Sequence, residues 1–419
     1  MNLVDWAVIV GYSLVLLGMG YFISKRQRNL QDYYLGGRNV KWWHAGLSTM
    51  ATQLGAISFI SAPAFVALKG GGGLKWLEYE FGVPLAMIFL MVFIIPVYHR
   101  ARVTSIYEYL ESRFDSTTRA FVSLLFQISR GLATAVAVLA IGIVISTALG
   151  LPLWIAILAI GAVTIIYDAM GGIRVVILSD VIQMLVILVG VVVVSAVAYS
   201  MAGGWGEILR TFDPTRLRVL DFAGLGWGRT QEYSFWPMVL GGFFLYASYY
   251  GCDQSQVQRE LSVGHLDGVR RSLLFNAVGR FPMVVLYCFM GVFIGAFAIG
   301  NPEFLSQIPA NEPDRLVPLF VLTYLPHGVI GFIFVAILAA SMSSLDSALN
   351  SMSAALNRDL YQRYLKPEAN EAHYMFVSKL FTIFWGIFVI AFAFVFAGTQ
   401  RTTIEAINMV GSILYGPIL

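Results

Sequence analysis

Charged residues are scarce in this sequence. They make up 12% of its 419 residues, whereas hydrophobic residues make up 58%. A soluble globular domain contains about 25% charged and about 45–50% apolar residues. The composition therefore excludes an ordinary soluble domain and predicts a protein that lies in a lipid bilayer. The net charge of +3 gives no indication of binding to nucleic acid.

Cysteine and recognisable catalytic motifs are also nearly absent. The two cysteines, Cys252 and Cys288, lie in or beside apolar segments and provide no disulfide framework. The five histidines are scattered and do not have the spacing of metal ligands. The sequence has no nucleotide-binding loop, no HExxH and no nucleophile elbow. We therefore do not expect an enzyme.

Long apolar segments dominate the chain. A membrane-spanning helix needs about 20 mostly apolar residues, and the sequence predicts an all-α polytopic membrane protein. The first segment has no basic residues before it and no cleavage site after it, so we expect a retained helix. The segments lie at about 4–24, 45–68, 78–98, 118–149, 151–168, 176–201, 235–252, 272–299, 317–350, 374–397 and 402–419.

The basic residues of the loops predict an orientation. If the first helix runs from outside to inside, seventeen lysines and arginines lie in loops on one side and eight on the other. The richer side is cytoplasmic. We expect a plasma membrane protein, in the inner membrane of a bacterium, with its N-terminus outside.

Two segments are interrupted by polar or helix-breaking residues. The segment at 45–68 has Thr, Gln, Gly, Ser and Pro near its middle, and the segment at 235–252 carries Gly241, Gly242 and Gly251 before a polar exit. Such residues free backbone carbonyls, which the protein interior must satisfy. Interruptions at corresponding positions of two halves indicate an inverted-repeat transporter with its site at the broken helices.

The domain prediction follows from this pairing. We expect one transmembrane transporter domain over 1–419, with an extra helix at about 4–24. The first repeat would cover about 45–201 and the second about 235–419.

A polar stretch, "SMSSLDSALNS", directly continues an apolar run. On a helix Ser343, Asp346 and Ser347 share one face, while Ser344 points about 100° away. Hydroxyl and carboxylate oxygens suit hard cations, and sodium fits this mixture. The alternative is that the serines allow close helix packing and Asp346 marks the exit to the cytoplasm.

Two ionisable residues are candidates for function within apolar segments. Asp180 leads into an uninterrupted apolar run, where an acid needs a partner or water; alternatively it lies at the interface and pairs with Arg174. Arg130 offers a bidentate fork to a solute carboxylate, or it has a structural partner such as Glu78.

Other residues leave two interpretations open. The aromatic residues around Phe243, Tyr246 and Tyr249 either stack on a solute and gate it or face lipid and core. Glu78 and Glu80 either bind solute hydroxyls or cap a helix.

Four separated motifs carry a family resemblance. "DYYLGGRNVKWW", "YDAMGGIRVVILSDVIQ", "CDQSQVQREL" and "AASMSSLDSALNS" occur in order along nearly the whole chain and resemble the sodium/solute symporter family. The resemblance implies a leucine-transporter-like five-plus-five inverted repeat after one extra N-terminal helix. The chain stops inside an apolar run, so we expect a truncated C-terminus.

The resemblance also implies binding residues. The main sodium site would use carbonyls of Ala51, Leu54 and Ala340 with hydroxyls of Ser343 and Ser344. A second sodium site would use Asp180, Ser343 and Ser347, with Asp346 where several relatives have Ser or Thr. Solute positions would be Gln53, Gly55, Ser58, Glu78, Glu80, Arg130, Phe243 and Tyr246, with Tyr249 as the inner gate.

The function implied is sodium-coupled secondary active symport that imports a small organic solute. The presence of an arginine at position 130 is similar to the sialic acid branch of the family. The resemblance therefore favours a carboxylated sugar such as sialic acid, or another organic anion, as the solute. Tyr246 and Ala277 replace the Asn and Lys typical of the sugar branch. The alternatives are a neutral sugar or amino acid as solute and, in a different class, a channel or sensor. The expected partners are sodium, the solute and lipid, without nucleic acid; the sequence does not indicate an oligomeric state.

Overall fold

The computed structural model describes residues 1–25, 27–225, 233–310 and 312–397, and within these ranges the chain forms helices and no strand. The predicted segment at 402–419 lies outside the described residues. The α-helices are α1 Leu3–Ser24, α2 Leu30–Leu35, α3 Trp42–Gln53, α4 Ala56–Ala67, α5 Leu77–Glu80, α6 Gly82–Phe89, α7 Ile95–Ala101, α8 Tyr107–Arg113, α9 Ser116–Leu149, α10 Leu153–Met201, α11 Trp205–Thr211, α12 Phe235–Cys252, α13 Gln254–Leu261, α14 Leu266–Gly300, α15 Pro302–Ser306, α16 Leu316–Tyr324, α17 Val329–Ala355 and α18 Glu371–Ala397.

Within the described ranges, seven helical stretches are long and apolar enough to cross a bilayer, or eight if α3 and α4 form one bent span. Two predicted segments, 151–168 and 176–201, lie in α10 and are separated by a break at Gly172 (φ 55°, ψ −157°). Glycine adopts this left-handed φ without the strain of a side chain. Helix α12 coincides with the predicted segment at 235–252. The described helices together confirm the prediction of an all-α polytopic membrane protein.

The prediction of a single helix over 317–350 is wrong, because α16 and α17 are separate helices. Pro326 has no backbone N–H to continue a helix, and Gly328 has a φ of 87°. The Asp5 carboxylate on α1 accepts hydrogen bonds from the backbone N–H groups of Gly328 (2.6 Å) and Gly331 (3.0 Å). Asp5 therefore fixes the start of α17.

The interruption predicted within 45–68 is present. Helices α3 and α4 are bent by 55° across Leu54 and Gly55. Leu54 (φ −82°, ψ 48°) and Gly55 (φ −66°, ψ −177°) both leave the helical conformation. The break frees carbonyl groups at the end of α3, and two of these accept hydrogen bonds from serines of α17.

The second interruption lies at Asp253, between α12 and α13. The expectation that Gly241 and Gly242 interrupt this helix is wrong, because α12 continues through both. A Cβ at Gly242 would lie 2.6 Å from the Tyr79 carbonyl oxygen, and one at Gly82 would lie 2.6 Å from the Phe243 nitrogen. Gly242 and Gly82 therefore allow two helices to cross closely.

Helix α17 lies in the middle of the molecule and is buried along nearly its whole length. It packs against α10, α1, α9, α18 and α3. The serine-rich stretch Ser341–Ser351 consequently lies inside the protein, beside the break between α3 and α4. The backbone remains helical, with wider π-type turns, as far as Leu365.

Candidate functional site

Three of the oxygens predicted for the main sodium site, those of Ser343, Ala51 and Ala340, lie together where α17 meets the break of α3–α4. The Ser343 hydroxyl lies 3.1 Å from the Ala51 carbonyl oxygen and 3.0 Å from the Ala340 carbonyl oxygen. The Ser344 hydroxyl donates to the Thr52 carbonyl at 2.8 Å. Hydroxyl and carbonyl oxygens of this kind can replace the hydration shell of a hard cation.

Gly55 keeps the chain close to α17 at this point. A Cβ on Gly55 would lie 2.9 Å from the Ser344 hydroxyl oxygen and 3.3 Å from the Ala340 carbonyl oxygen. Leu54, the remaining predicted sodium ligand, is buried immediately before Gly55. The missing side chain of Gly55 therefore allows the broken helix to contact the serines directly.

A cavity of about 110 Å³ lies beside these oxygens. It is lined by residues of the α3–α4 break, of α9 and of α17. The predicted solute residues Gln53, Gly55 and Ser58 line it, and so do Ser341 and Thr134, which the sequence reasoning did not single out. The predicted sodium residue Ser344 also lines this cavity, so the candidate sodium site and the candidate solute site are adjacent.

Five predicted solute residues do not line this cavity: Glu78, Glu80, Arg130, Phe243 and Tyr246. Glu80 forms a bidentate ion pair with Arg280, with contacts of 2.6 and 2.9 Å, and the Tyr246 hydroxyl donates to Glu80 at 3.2 Å. Neither Glu78 nor Glu80 makes a helix-capping hydrogen bond.

Glu78 and Phe243 contact different parts of the fold. Glu78 accepts a hydrogen bond from the backbone N–H of Asp221 at 2.5 Å. The ring of Phe243 lies edge-on to Phe89, with centroids 5.8 Å apart. Lys75 pairs with the side chain of the same Asp221, so Glu78 belongs to a polar group that joins two loops.

Arg130 and the predicted gate Tyr249 lie together, with Asp253 as their third member. The Arg130 guanidinium donates to the Asp253 carboxylate at 3.2 Å and to the Tyr249 hydroxyl at 3.4 Å. Arg130 therefore has an acidic structural partner, as the alternative interpretation predicts, but this partner is Asp253 and not Glu78. Because Asp253 lies at the break between α12 and α13, the ion pair joins this break to α9.

The second predicted sodium position contains a guanidinium. Arg259 on α13 has no exposed surface, and its Nη2 lies 3.1 Å from Asp180 Oδ2. The same nitrogen donates to the hydroxyls of Ser347 and of Thr52. Arg259 thus binds two of the four residues predicted to hold the second sodium ion, Asp180 and Ser347.

The alternative interpretation of Asp180 is wrong. Asp180 is fully buried and also accepts a hydrogen bond from the Ser48 hydroxyl at 2.5 Å. Arg174 instead donates to the backbone carbonyl of Gly36, with contacts of 2.8 and 3.1 Å. A buried carboxylate is stabilised by this pairing only as long as its cationic partner is present.

Asp346 is also fully buried, so its interpretation as the exit to the cytoplasm is wrong. It accepts hydrogen bonds from the hydroxyls of Tyr167 (2.6 Å), Ser179 (3.4 Å) and Ser347 (3.2 Å). Asp346 therefore adjoins the Arg259 position through Ser347.

The loop side of the molecule has a separate network of ion pairs. Arg119, at the start of α9, contacts Glu111 at 2.7 Å and Asp359 at 2.7 Å. Arg363 also contacts Glu111 at 2.7 Å. The hydrogen bond from Arg119 lowers the pKa of the Glu111 carboxyl below its ordinary value. These pairs fasten α8 and α9 to the segment after α17.

The sequence reasoning missed Arg259 and Asp253. The stretch "QSQVQREL" is mostly polar, which is typical of a loop, yet every residue of α13 is buried. The available signal was an arginine and several amides directly after an interrupted helix, where freed backbone groups need partners. In the part of the chain that the structure describes, no group of three or more His, Cys, Asp or Glu residues is arranged to hold a metal ion.

Comparison with known proteins gives consistent matches. Sodium/sialic acid symporter SiaT of Proteus mirabilis is 33% identical, over 99% of this chain and 83% of that protein. Sodium/sialic acid symporter NanT of Aliivibrio fischeri is 29% identical, over 99% and 81%. The human sodium/iodide cotransporter is 29% identical, over 99% of this chain but 64% of that protein.

Solved structures show the same fold. A substrate-bound, outward-open Na⁺-coupled sialic acid symporter matches with a TM-score of 0.89 and 29% identity, over 100% of this chain and 85% of that one. A transporter of the nucleobase-cation-symport-1 family matches with a TM-score of 0.56 and 14% identity, over 92% and 78%, which shows the fold alone. The model of the sodium:solute symporter family matches residues 33–419. The chain therefore belongs to the sodium:solute symporter family, a family of transporters and not of enzymes.

Proposed function

We propose that this protein is a sodium-coupled secondary active symporter that imports a small organic solute, a carboxylated sugar such as sialic acid or another organic anion. The observation that carries the proposal is the contact between the α17 serines and the break of α3–α4, directly beside the cavity. The names of the relatives SiaT and NanT support sialic acid as the first solute to test.

Sodium would bind the carbonyls of Ala51, Leu54 and Ala340 and the hydroxyls of Ser343 and Ser344. An ion there joins the first broken helix to α17 and so favours one arrangement of the two. Gln53, Gly55 and Ser58 come from the same break and line the cavity. Sodium and solute therefore order the same segment, and each should raise the affinity of the other by the same factor.

A solute carboxylate would bind Arg130, whose planar guanidinium can make two parallel hydrogen bonds. Asp253 already binds this guanidinium at 3.2 Å, so the solute and Asp253 compete for it. Tyr249 contacts the same guanidinium and would act as the inner gate. Binding of the solute would thereby weaken the link between α9 and the break at Asp253.

A neutral sugar or amino acid is the second candidate solute. Its supporting observation is that Arg130 is paired with Asp253, and Glu80 with Arg280. The described residues that line the cavity have hydroxyl, amide and apolar side chains, and none of them is charged. In this case Glu80, Phe243 and Tyr246 would support the site without contacting the solute, and Glu78 would stabilise the loops.

The second sodium position would use Asp180, Ser343, Asp346 and Ser347. A sodium ion there has to compete with the Arg259 guanidinium for Asp180 and Ser347. We propose that the main position binds the coupling ion and that Arg259 supplies the positive charge at the second.

We propose the repeat boundaries and the membrane orientation that the sequence predicts. The extra helix would be α1, the first repeat would run from α3 to α10, and the second would begin at α12. The excess of basic loop residues supports a cytoplasmic location for the α8 end and an external N-terminus, in a bacterial inner membrane.

The first experiment is a thermal-shift screen of the purified protein with sialic acids, neutral sugars, amino acids and monocarboxylates. A solute that binds only the folded protein raises the melting temperature by mass action. We expect sialic acid to raise it in sodium and to have a much smaller effect in potassium or choline. Equal shifts in the three salts would contradict sodium coupling, and a shift with neutral sugars alone would favour the second solute class.

A transport assay separates symport from passive flux. In vesicles containing the purified protein, an inward sodium gradient should drive accumulation of the solute above its external concentration. Flux that never exceeds equilibration, with or without the gradient, would contradict secondary active transport.

A further inference from the structure

Ser341 differs from the other serines of α17. The hydroxyls of Ser343, Ser344, Ser347, Ser351 and Ser353 each donate to a backbone carbonyl. The Ser341 hydroxyl has no hydrogen-bond partner among the described residues, although only 3% of the residue is exposed. A helical serine can usually donate to the carbonyl one turn earlier. The Ser341 hydroxyl does not do so, and it is therefore available to bind another group.

Another residue that lines the same cavity has a complementary group. Gln53, the last residue of α3, has a buried side-chain carbonyl oxygen, Oε1, with no partner among the described residues. Both Gln53 and Ser341 line the cavity. Leaving a buried polar group without a hydrogen bond is unfavourable, so proteins rarely retain one without a use.

We propose that Ser341 and Gln53 together bind a hydroxyl group of the solute. A hydroxyl accepts one hydrogen bond and donates another, so it can accept from the Ser341 Oγ–H and donate to Gln53 Oε1. Among the described residues no charged side chain lines the cavity, which favours an uncharged, hydroxyl-bearing part of the solute. This inference deepens the proposed function and rests on it.

The surrounding cavity has room for this part of the solute. Its volume is about 110 Å³. Thr134, one turn along α9 from Arg130, also lines the cavity, and its hydroxyl donates to the Arg130 carbonyl at 2.7 Å. The cavity proposed to bind the solute hydroxyl therefore lies one turn of α9 from the arginine proposed to bind the solute carboxylate.

Ser341 also connects the solute to the sodium site. Ser341 and Ser344 are three residues apart and line the same cavity, so they lie on one face of α17. A solute held by Ser341 fixes α17 one turn from the hydroxyls proposed to bind sodium. Ser341 would select the solute without contacting the ion.

The test is a comparison of Ser341→Ala with wild type. Sialic acid binding to the purified full chain is measured in sodium by titration calorimetry. Loss of one hydrogen bond should weaken binding about three- to tenfold. Sodium binding without solute should be unchanged. The matched control is Ser195→Ala, which removes another buried, unpartnered serine hydroxyl, on α10 and away from the cavity; it should bind sialic acid like wild type.

A second measurement identifies the hydroxyl. Sialic acids that lack one hydroxyl at a time are titrated against both proteins. For one analogue, wild type should lose affinity about three- to tenfold relative to sialic acid, whereas Ser341→Ala should bind the analogue and sialic acid equally. Equal losses in both proteins for every analogue would overturn the inference.

The experiments distinguish a failure of this inference from a failure of the proposed function. If wild type binds sialic acid in a sodium-dependent way and Ser341→Ala binds it equally well, this inference is wrong and the proposed function stands. If wild type shows no sodium-dependent binding of any solute in the screen, the proposed function is wrong, and this inference with it. Melting temperatures of the variants verify that each is folded.

Discussion

Replacing Arg259 with glutamine should destabilise the folded protein by about 3–5 kcal/mol. The Arg259 guanidinium is fully buried and lies 3.1 Å from Asp180. Without it Asp180 retains the Ser48 hydroxyl on Oδ2, and its Oδ1 has no partner among the described residues. A buried carboxylate without a cation is far less favourable than a buried pair. The melting temperature in detergent measures the loss.

The double variant Asp180→Asn with Arg259→Gln isolates the cause. It removes both charges, so it should be more stable than the sum of the two single losses indicates. Arg210→Gln is the matched control, because Arg210 is exposed and its pair with Glu207 contributes little. If the double variant loses as much as both single variants together, the ion pair is not the reason for the loss.

The Arg259→Gln variant also tests which cation belongs at the second position. Without the guanidinium, Asp180 and Ser347 are available to an ion. We expect sodium to raise the melting temperature of this variant by more than it raises that of wild type. An equal sodium effect in the two proteins would contradict the proposal that Arg259 occupies a cation position.

Local sequence rules predicted the parts of the site that depend on a single helix. The break within 45–68 followed from Gly, Pro and hydroxyl residues in an apolar segment. The arrangement of Ser343, Ser344 and Ser347 followed from helical periodicity alone. Both signals act over a few residues, so they hold whatever the rest of the chain does.

Charge pairing depends on the whole fold, and sequence reasoning failed there. Arg130 and Asp253 are 123 residues apart, and Arg259 and Asp180 are 79 apart. Nearby candidates such as Glu78 and Arg174 were chosen because they lie in predicted loops or at helix ends. The actual partners Asp253 and Arg259 lie at the start of α13 and within it, and the mostly polar sequence of this helix is typical of a loop although the helix is buried.

Helix ends were also predicted less well than helix interiors. Asp346 was interpreted as an exit because the charged run "NRDLYQRYLKP" follows it. The helix continues instead, and Asp359 within that run is buried beside Arg119. Similarly, Pro326 and Gly328 divide an apolar run that composition alone treats as one helix. In the second case Asp5 of α1 binds the backbone where α17 begins.

Replacing Ser343 with alanine should weaken sodium binding about tenfold to a hundredfold. The Ser343 hydroxyl lies within 3.1 Å of two of the carbonyl oxygens proposed to bind the ion. An interaction with a charged group contributes about 1.5–3 kcal/mol, which corresponds to this change in affinity. Sodium titrations at constant ionic strength, followed by melting temperature or tryptophan fluorescence, measure the effect. Ser344→Ala should act in the same direction.

Ser351→Ala provides the control for the Ser343 variant. Ser351 is on the same helix, equally buried, and donates to the Ala348 carbonyl away from the break, so its loss should leave the sodium titration unchanged. Reciprocity adds a second readout, because solute affinity at a fixed, subsaturating sodium concentration should fall in Ser343→Ala and recover when sodium is raised. If solute affinity falls and high sodium does not restore it, Ser343 contacts the solute or positions α17. If neither titration changes, the Ser343 hydroxyl is not a ligand, and the cation lies elsewhere along the break.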